Sequence, residues 1–217
     1  MAIPGNLLTT AMAVMPHTDV ERALEMALSL DVPFWPQLPN TSYYEDMYVQ
    51  AAEHFPGILL DMEKRTLRFS LEKFIDEFED TMAHFEDPQH FDISETYSVV
   101  YHRFLSMDIY TNAEIFSSYA SSIKHFIDKG GVLVWGIVPT GTEFFEKENI
   151  DSLIAQMEGV WQILGKRGID IEHLLTRSQL SPATCCLVNP DKEKTVEKAF
   201  ALINHLSQVL KEKYGIN

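Results

Sequence analysis

GGVLVWGIVPT, residues 130–140, is the stretch on which the fold turns. Residues 132–137 form a continuous apolar strand without the alternation of a half-solvated one, so they read as a strand buried on both faces, as in parallel sheets. The residues before it, AEIFSSYASSIKHFIDKGG (113–131), read as a helix closed by Gly130 in the left-handed conformation. SMDIYT (106–111) ahead of that helix reads as a short strand, over 107–110. Downstream, NIDSLIAQMEGVWQILGKRG (149–168) reads as a helix ended by Gly168. HLLTRSQLSPAT (173–184) then carries a strand over 174–179, and DKEKTVEKAFALINHLSQVLKEKYG (191–215) a last helix. Strand and helix alternate three times, which implies an α/β fold with parallel strands.

The N-terminal part begins with the same grammar. LLTTAMAVMP (7–16) reads as a strand over 9–14 stopped by Pro16, and HTDVERALEMALSL (17–30) as a helix. Thr18 or Asp19 caps it, and Val20, Ala23, Leu24, Ala27 and Leu28 form its apolar face. Pro33, Pro36 and Pro39 then exclude a helix and predict an extended, aromatic-lined connection. A helix is expected over 42–55, and two strands around a charged turn over 58–69. Amphipathic helices are expected over 70–86 and 93–105, the first with Ser70 forming half a capping box with Lys73.

Composition narrows the functions. With 32 acidic against 17 basic residues the formal charge is -15, which opposes phosphate backbones, so nucleic acid is not an expected partner. The only cysteines, Cys185 and Cys186, are adjacent, so there is no disulfide framework and a reducing, cytoplasmic compartment is expected. The first residues lack a basic region and an unbroken apolar run, so neither a signal peptide nor a membrane span is expected.

In parallel α/β folds chemistry collects where strands end and loops to the next helix begin. Four segments qualify: residues 16–19, 107–111, 136–140 and 181–186. The cysteine pair therefore lies at a functional edge, where metal ligation, nucleophilic chemistry and plain burial are all open to it. Adjacent cysteines point apart, so at most one faces a given site. Around that edge Phe34, Trp35 and Trp135 are expected to line a mostly apolar small-molecule cleft with His17, Asp108 and Thr140 as its polar groups. The tryptophans can instead fill the core, and for Trp135, in a continuous apolar strand, that is the favoured reading.

Three stretches, MPHTDVERALEMALSLDVPFWPQLP, GGVLVWGIVPT and LLTRSQLSPATCCL, resemble the superfamily of cobalamin-independent methionine synthase, corrinoid methyltransferases and uroporphyrinogen decarboxylase. The stand-alone methionine-synthase-like members are the nearest in pattern, and weaker similarity covers nearly the whole chain. The resemblance implies a single (β/α) domain of the TIM-barrel type, with its site at the C-terminal ends of the strands. It also implies zinc. Position by position, Cys185 matches the family's last cysteine ligand, Asp108 matches the acidic ligand, and Cys186 stands where glycine is usual. The family's strand with a histidine and a cysteine is absent, as though the middle of the barrel were deleted near 105–107. An eight-unit barrel needs about 250 residues, so the expectation is an incomplete barrel that self-associates as a homodimer to cover its open sheet edge. His17 is a candidate third zinc ligand or a substrate-binding residue.

The function so implied is methyl transfer from a folate donor, or from a corrinoid donor carried by a corrinoid protein, to a small-molecule thiol at a zinc site. The alternative is a non-catalytic binding or assembly module of the same descent. Porphyrinogen decarboxylation is disfavoured because it requires clustered arginines, and Arg22 stands alone on its helix while only Arg177 lies near a predicted strand.

Overall fold

The computed structural model describes residues 5–11, 14–46, 49, 56–64, 66–75, 104–112, 116–183 and 189–216. Most of the helices expected over 42–55, 70–86 and 93–105 lies outside the described residues, as do both cysteines.

Strands β1 (Leu8–Thr9), β4 (Phe104–Asp108), β5 (Val132–Val138) and β6 (Ser178–Pro182) form one sheet in the order β1-β6-β5-β4, and every pairing is parallel. The α/β fold with a parallel sheet expected from the alternation of elements is therefore present. A parallel bridge between Val14 and Gln37 adds a contact beyond β1. Strands β2 (Ile58–Asp61) and β3 (Thr66–Phe69) form a separate antiparallel hairpin around the expected charged turn, where Asp61 accepts from the backbone N–H of Lys64 at 3.0 Å and from its Nζ at 2.9 Å.

The central strand behaves as its composition dictates. All seven residues of β5 are buried, so both of its faces are covered. Helices α1 (Val20–Leu28), α2 (Phe116–Asp128), α3 (Ile150–Lys166), α4 (Ile171–Thr176) and α5 (Lys194–Tyr214) supply the rest of the core, with Ile123 and Ile127, Leu153 and Met157, and Phe200 and Ile203 among the side chains joined in one cluster. Gly130, Gly168 and Gly215 close α2, the α3 end and α5 at positive φ of 89°, 88° and 66°, the conformation expected of a helix-terminating glycine. No helix among the described residues is long and apolar enough to cross a membrane.

Four expectations are corrected. The strand read over 174–179 begins only at Ser178. Leu174 and Leu175 belong to α4, because Asp170 caps that helix by accepting from the His173 N–H at 3.0 Å, and a short apolar run by itself does not distinguish helix from strand. The strand read over 107–110 runs from Phe104 to Asp108. It stops there because the Asp108 carboxylate accepts from the Tyr110 N–H at 2.9 Å and turns the chain into a short helical segment, Ile109–Asn112. Phe104 and Leu105 are strand because they pair with Val132 and Leu133 of β5, so the last two residues of the helix expected over 93–105 are not helical. Finally, α1 buries Ala23, Met26 and Ala27 and exposes Val20, Leu24 and Leu28. The two alanines permit close approach to the core, and the pairing of Arg22 with Glu197 on α5 fixes the rotation of the helix about its axis.

The first strand is fastened by polar contacts as well as by packing. Thr9, 1% exposed, donates its hydroxyl to Asn204 at 2.9 Å and accepts from the Asp31 N–H at 3.0 Å, while its own N–H reaches the Asp31 carboxylate at 2.9 Å. Ser207 donates to the Leu7 carbonyl at 2.6 Å. Replacing Thr9 by valine keeps the shape and strands the Asn204 and Asp31 groups, so we expect a loss of about 1–3 kcal/mol. Urea unfolding should show this as a lower midpoint at unchanged slope.

Candidate functional site

Because the four strands are parallel, their C-terminal ends share one edge, and the loops after β1, β4, β5 and β6 leave from it. Asp108, Gly136 and Ser181 stand side by side in register across β4, β5 and β6. Gly136 has a specific reason to be glycine. A Cβ there would lie 3.0 Å from the Cα of Ala183 and 3.2 Å from the Met107 carbonyl oxygen, so the missing side chain is the space through which the chain leaving β6 crosses over β5. The Ala183 N–H donates to the Val138 carbonyl at 2.8 Å and holds that crossing.

The chain is caught again at Asn189. Its amide group donates to the Thr140 carbonyl at 2.7 Å and accepts from the Thr142 N–H at 3.3 Å, pairing with the β5 loop as a short piece of strand would. Asp191 adds two contacts, from the Thr142 hydroxyl at 3.1 Å and the Thr195 hydroxyl at 2.7 Å. The Thr195 bond is the main reason its carboxyl lies below the ordinary range; burial opposes the shift and the Thr142 bond adds to it. Residues 184–188, Cys185 and Cys186 included, lie outside the described residues, and the chain on either side of them is bound to one short segment, Val138–Thr142.

On the β4 side, the turn that ends at Tyr110 is tied to the start of α3. The Tyr110 hydroxyl donates to Glu148 at 3.0 Å, Ser152 donates to the same carboxylate at 2.6 Å, and the Gln156 amide donates to the Tyr110 carbonyl at 3.0 Å and the Ile109 carbonyl at 3.5 Å. Burial, with the Glu148 bond and charge behind it, pushes the Tyr110 phenol up to about 12.

On the β1 side, His17 is 2% exposed and its Nε2 lies 3.6 Å from Glu197 Oε1, longer than a hydrogen bond. Glu197 is gripped by Arg22, which donates from Nε at 2.7 Å and from its terminal nitrogen at 3.0 Å. Arg22, read from sequence as a solitary helix residue, thus reaches across to α5. Its hydrogen bond is the largest cause holding the Glu197 carboxyl below the ordinary range; burial acts the other way, and the charges of Arg22 and His17 reinforce the lowering.

The sequence-predicted groups are thus divided. Asp108 stands at the end of β4, the outermost strand on one side of the sheet, while Thr140 follows β5 and Ala183 follows β6 in the middle of the edge. His17 is on β1's loop, and the sheet order sets β1 and β4 three strand spacings apart, about 14 Å. Trp135 is fully buried, packs on Phe116 with ring centres 5.8 Å apart, and donates its indole N–H to Ser178 at 2.8 Å, toward the opposite end of β6. It is a core residue. Thr140 is 1% exposed with its carbonyl held by Asn189, whereas Trp35 is 85% exposed; its neighbour Phe34 is the ring that packs inward, against Phe200 at 5.9 Å. Among the described residues no three histidine, cysteine, aspartate or glutamate side chains gather as a metal-binding group. Asn189, Asp191, Glu197, Glu148 and Gln156 were not singled out from sequence. The Asn-Pro-Asp run at 189–191, separated from the cysteine pair by two residues, is the local signal available for the first two.

No protein-family model, curated protein or solved structure matches the chain.

The Glu197 clamp makes a pH-dependent prediction. A carboxylate whose folded pKa is depressed contributes stability above its unfolded value, about 4.3, and loses it as pH falls through the folded value. We therefore expect Glu197→Gln to be less stable than the wild type at pH 7 and the gap to close toward pH 3, as read by urea unfolding at both values.

Proposed function

We propose that the chain is an arc of a (β/α) barrel of the cobalamin-independent methionine synthase type, and that its strand-end edge handles a small-molecule thiol, transferring to it a methyl group from a corrinoid or folate-type donor with zinc at Cys185 and Asp108. The observation that supports this reading is that Asp108, Gly136 and Ser181 stand in register at the strand ends, with Ala183, two residues before Cys185, lying against Gly136. The sheet order supports the barrel descent, since the first strand lies beside the last, as it does where a barrel wall closes, and the Val14 to Gln37 bridge continues the wall beyond it.

The donor chemistry suits zinc, which accepts thiolate and carboxylate together. When bound, zinc would lower the pKa of a coordinated thiol so that it is available as a thiolate nucleophile. The chain's own residues have distinct tasks. The Tyr110 N–H holds the Asp108 carboxylate at the end of β4. Asn189 and Ala183 pin the two flanks of the cysteine segment to the β5 loop. His17, facing Glu197, stands on the β1 side of the edge and is assigned to substrate contact in place of metal ligation.

A second reading is a non-catalytic small-molecule-binding relative of the same descent, because a catalytic zinc needs three protein ligands and the described residues do not gather three. Self-association that supplies the third ligand from a second copy would reconcile the site with catalysis. Metal analysis of protein purified without chelators separates these readings. We expect about one zinc per chain in the wild type and in Cys186→Ser, and a loss of at least tenfold in Cys185→Ser. Equal zinc in wild type and Cys185→Ser would reject the ligand assignment, and none in either would favour the non-catalytic reading.

A further inference from the structure

The segment that carries His17 is held on both sides. The Met15 N–H donates to the Gln37 carbonyl at 2.8 Å, the Asn40 amide donates to the Pro16 carbonyl at 2.8 Å, and Asp19 caps α1 by accepting from the Arg22 N–H at 3.1 Å. Between these anchors the His17 side chain is 1% exposed, and among the described residues neither Nδ1 nor Nε2 has a hydrogen-bond partner. Buried polar groups are ordinarily bonded, so two bare ring nitrogens in a fixed frame call for a chemical task. The carboxylate beside the ring is fixed as well. Arg22 grips Glu197 at 2.7 Å and 3.0 Å, and the Glu197 side chain, 28% exposed, reaches from solvent to the ring. Its Oε1 lies 3.6 Å from Nε2, just beyond a hydrogen bond and too near for a water to stand between. An ionised carboxylate attracts a donor, so the proton of the neutral ring belongs on Nε2, and Nδ1 is left as an acceptor facing away from Glu197.

We infer that His17 is a proton acceptor for a protic small-molecule ligand, a thiol under the function proposed above, and that Glu197, held by Arg22, is the positioning residue that sets its tautomer. This rests on the assignment of His17 to substrate contact and is independent of any metal. In the step, the S–H bond breaks, its proton forms an N–H bond at Nδ1, and the electron pair stays on sulfur as a thiolate. The imidazolium so made presents its Nε2–H to the Glu197 carboxylate, which balances the new charge, and the proton passes to water once the thiolate has reacted. A charge-assisted hydrogen bond is stronger than a neutral one, so the 3.6 Å contact tightens as the proton arrives. Arg22 keeps the carboxylate from turning away to solvent, since it binds both carboxylate oxygens.

The test is nitrogen NMR of the full chain labelled in its histidine rings, at about pH 8, where an ordinary imidazole is neutral. His17→Gln identifies the His17 resonances among those of the eight histidines. Ethanethiol is the probe, and dimethyl sulfide, which has no proton to donate, is its control. The wild type should show the Nε2–H tautomer, and ethanethiol should shift the Nδ1 resonance saturably while dimethyl sulfide leaves it in place. Glu197→Gln should mix the two tautomers and raise the ethanethiol concentration at half shift roughly tenfold, the effect of losing a charge-assisted bond. Arg22→Gln, which keeps the carboxylate and releases it, should change both in the same direction by less, and it serves as the second variant should Glu197→Gln fail to fold. A purely structural contact would lower the unfolding temperature of these variants and leave the tautomer as in the wild type. A wild-type ring protonated on Nδ1, or a tautomer that neither variant alters, overturns the inference and, where ethanethiol still shifts the ring, leaves the substrate contact standing. An equal shift by dimethyl sulfide overturns it in the same way. A ring in the Nε2–H form that ethanethiol does not move removes the substrate contact and the inference with it.

Discussion

The pairing of β6 with β5 on one side and β1 on the other is the constraint from which the rest of this structure follows. It joins the opening of the chain to a strand about 170 residues later, with Leu8 opposite Gln179 and Thr9 opposite Leu180. A parallel pair cannot be closed by a tight turn, so this contact carries the loop-closure entropy of most of the chain. The structure offsets it by concentrating contacts at the seam. Thr9 bonds to Asp31 and Asn204, Ser207 holds the Leu7 carbonyl, and Gly5 passes so close to the Thr176 carbonyl that any Cβ would collide with it. Helix α5 therefore works as the clasp that holds β1 beside β6.

The same seam gathers the polar groups of the strand-end edge. Without β1 beside β6, Arg22 and Glu197 would have no common neighbourhood, and without β6 beside β5 the chain at Ala183 would not cross Gly136. The carboxylates of this edge are many for an acidic chain with few cations to spare. Most are therefore satisfied by hydroxyl and backbone donors: Asp191 by Thr142 and Thr195, Glu148 by Tyr110 and Ser152, Asp108 by the Tyr110 N–H. Only Glu197 receives a two-pronged arginine, and it is the one that faces His17. Directional donors of this kind fix geometry more tightly than a mobile surface lysine does, which suits an edge where side-chain direction matters.

The exposed stripe of α1 shows how propensity and packing divide responsibility. Val20, Leu24 and Leu28 and the buried trio Ala23, Met26 and Ala27 occupy neighbouring arcs of one helix, and hydrophobicity alone cannot choose between them. The choice falls to the small residues because they allow the backbone to approach the core, and to Arg22 because its partner lies on another element. The order of the strands at the edge is a decision of the same type. For Trp135 the continuous apolar strand favours the core over a cleft, and its indole N–H settles the matter by finding Ser178 at the far end of the neighbouring strand.

What the sequence by itself determined is the grammar: a buried strand over 132–137, helices ended by Gly130 and Gly168, a hairpin around a charged turn in 58–69, and parallel α/β alternation in the C-terminal half. Each rests on local physics, namely the period of apolar residues, the left-handed freedom of glycine, and the charge of a turn, all readable within a dozen residues. Some short-range limits escaped it, as at Leu174 and Leu175, where a capping aspartate decided for helix. Tertiary structure alone decided which strand lies beside which, which face of α1 is buried, and that Glu197, Asn189 and Gln156 stand at the strand-end edge. Those residues carry no local mark, because their partners are 46 to 175 residues away in sequence or their role is to hold a carbonyl that only the folded chain presents. A side chain's partner is a property of the packed molecule, fixed by long-range strand pairing and by the requirement that buried polar groups find bonds.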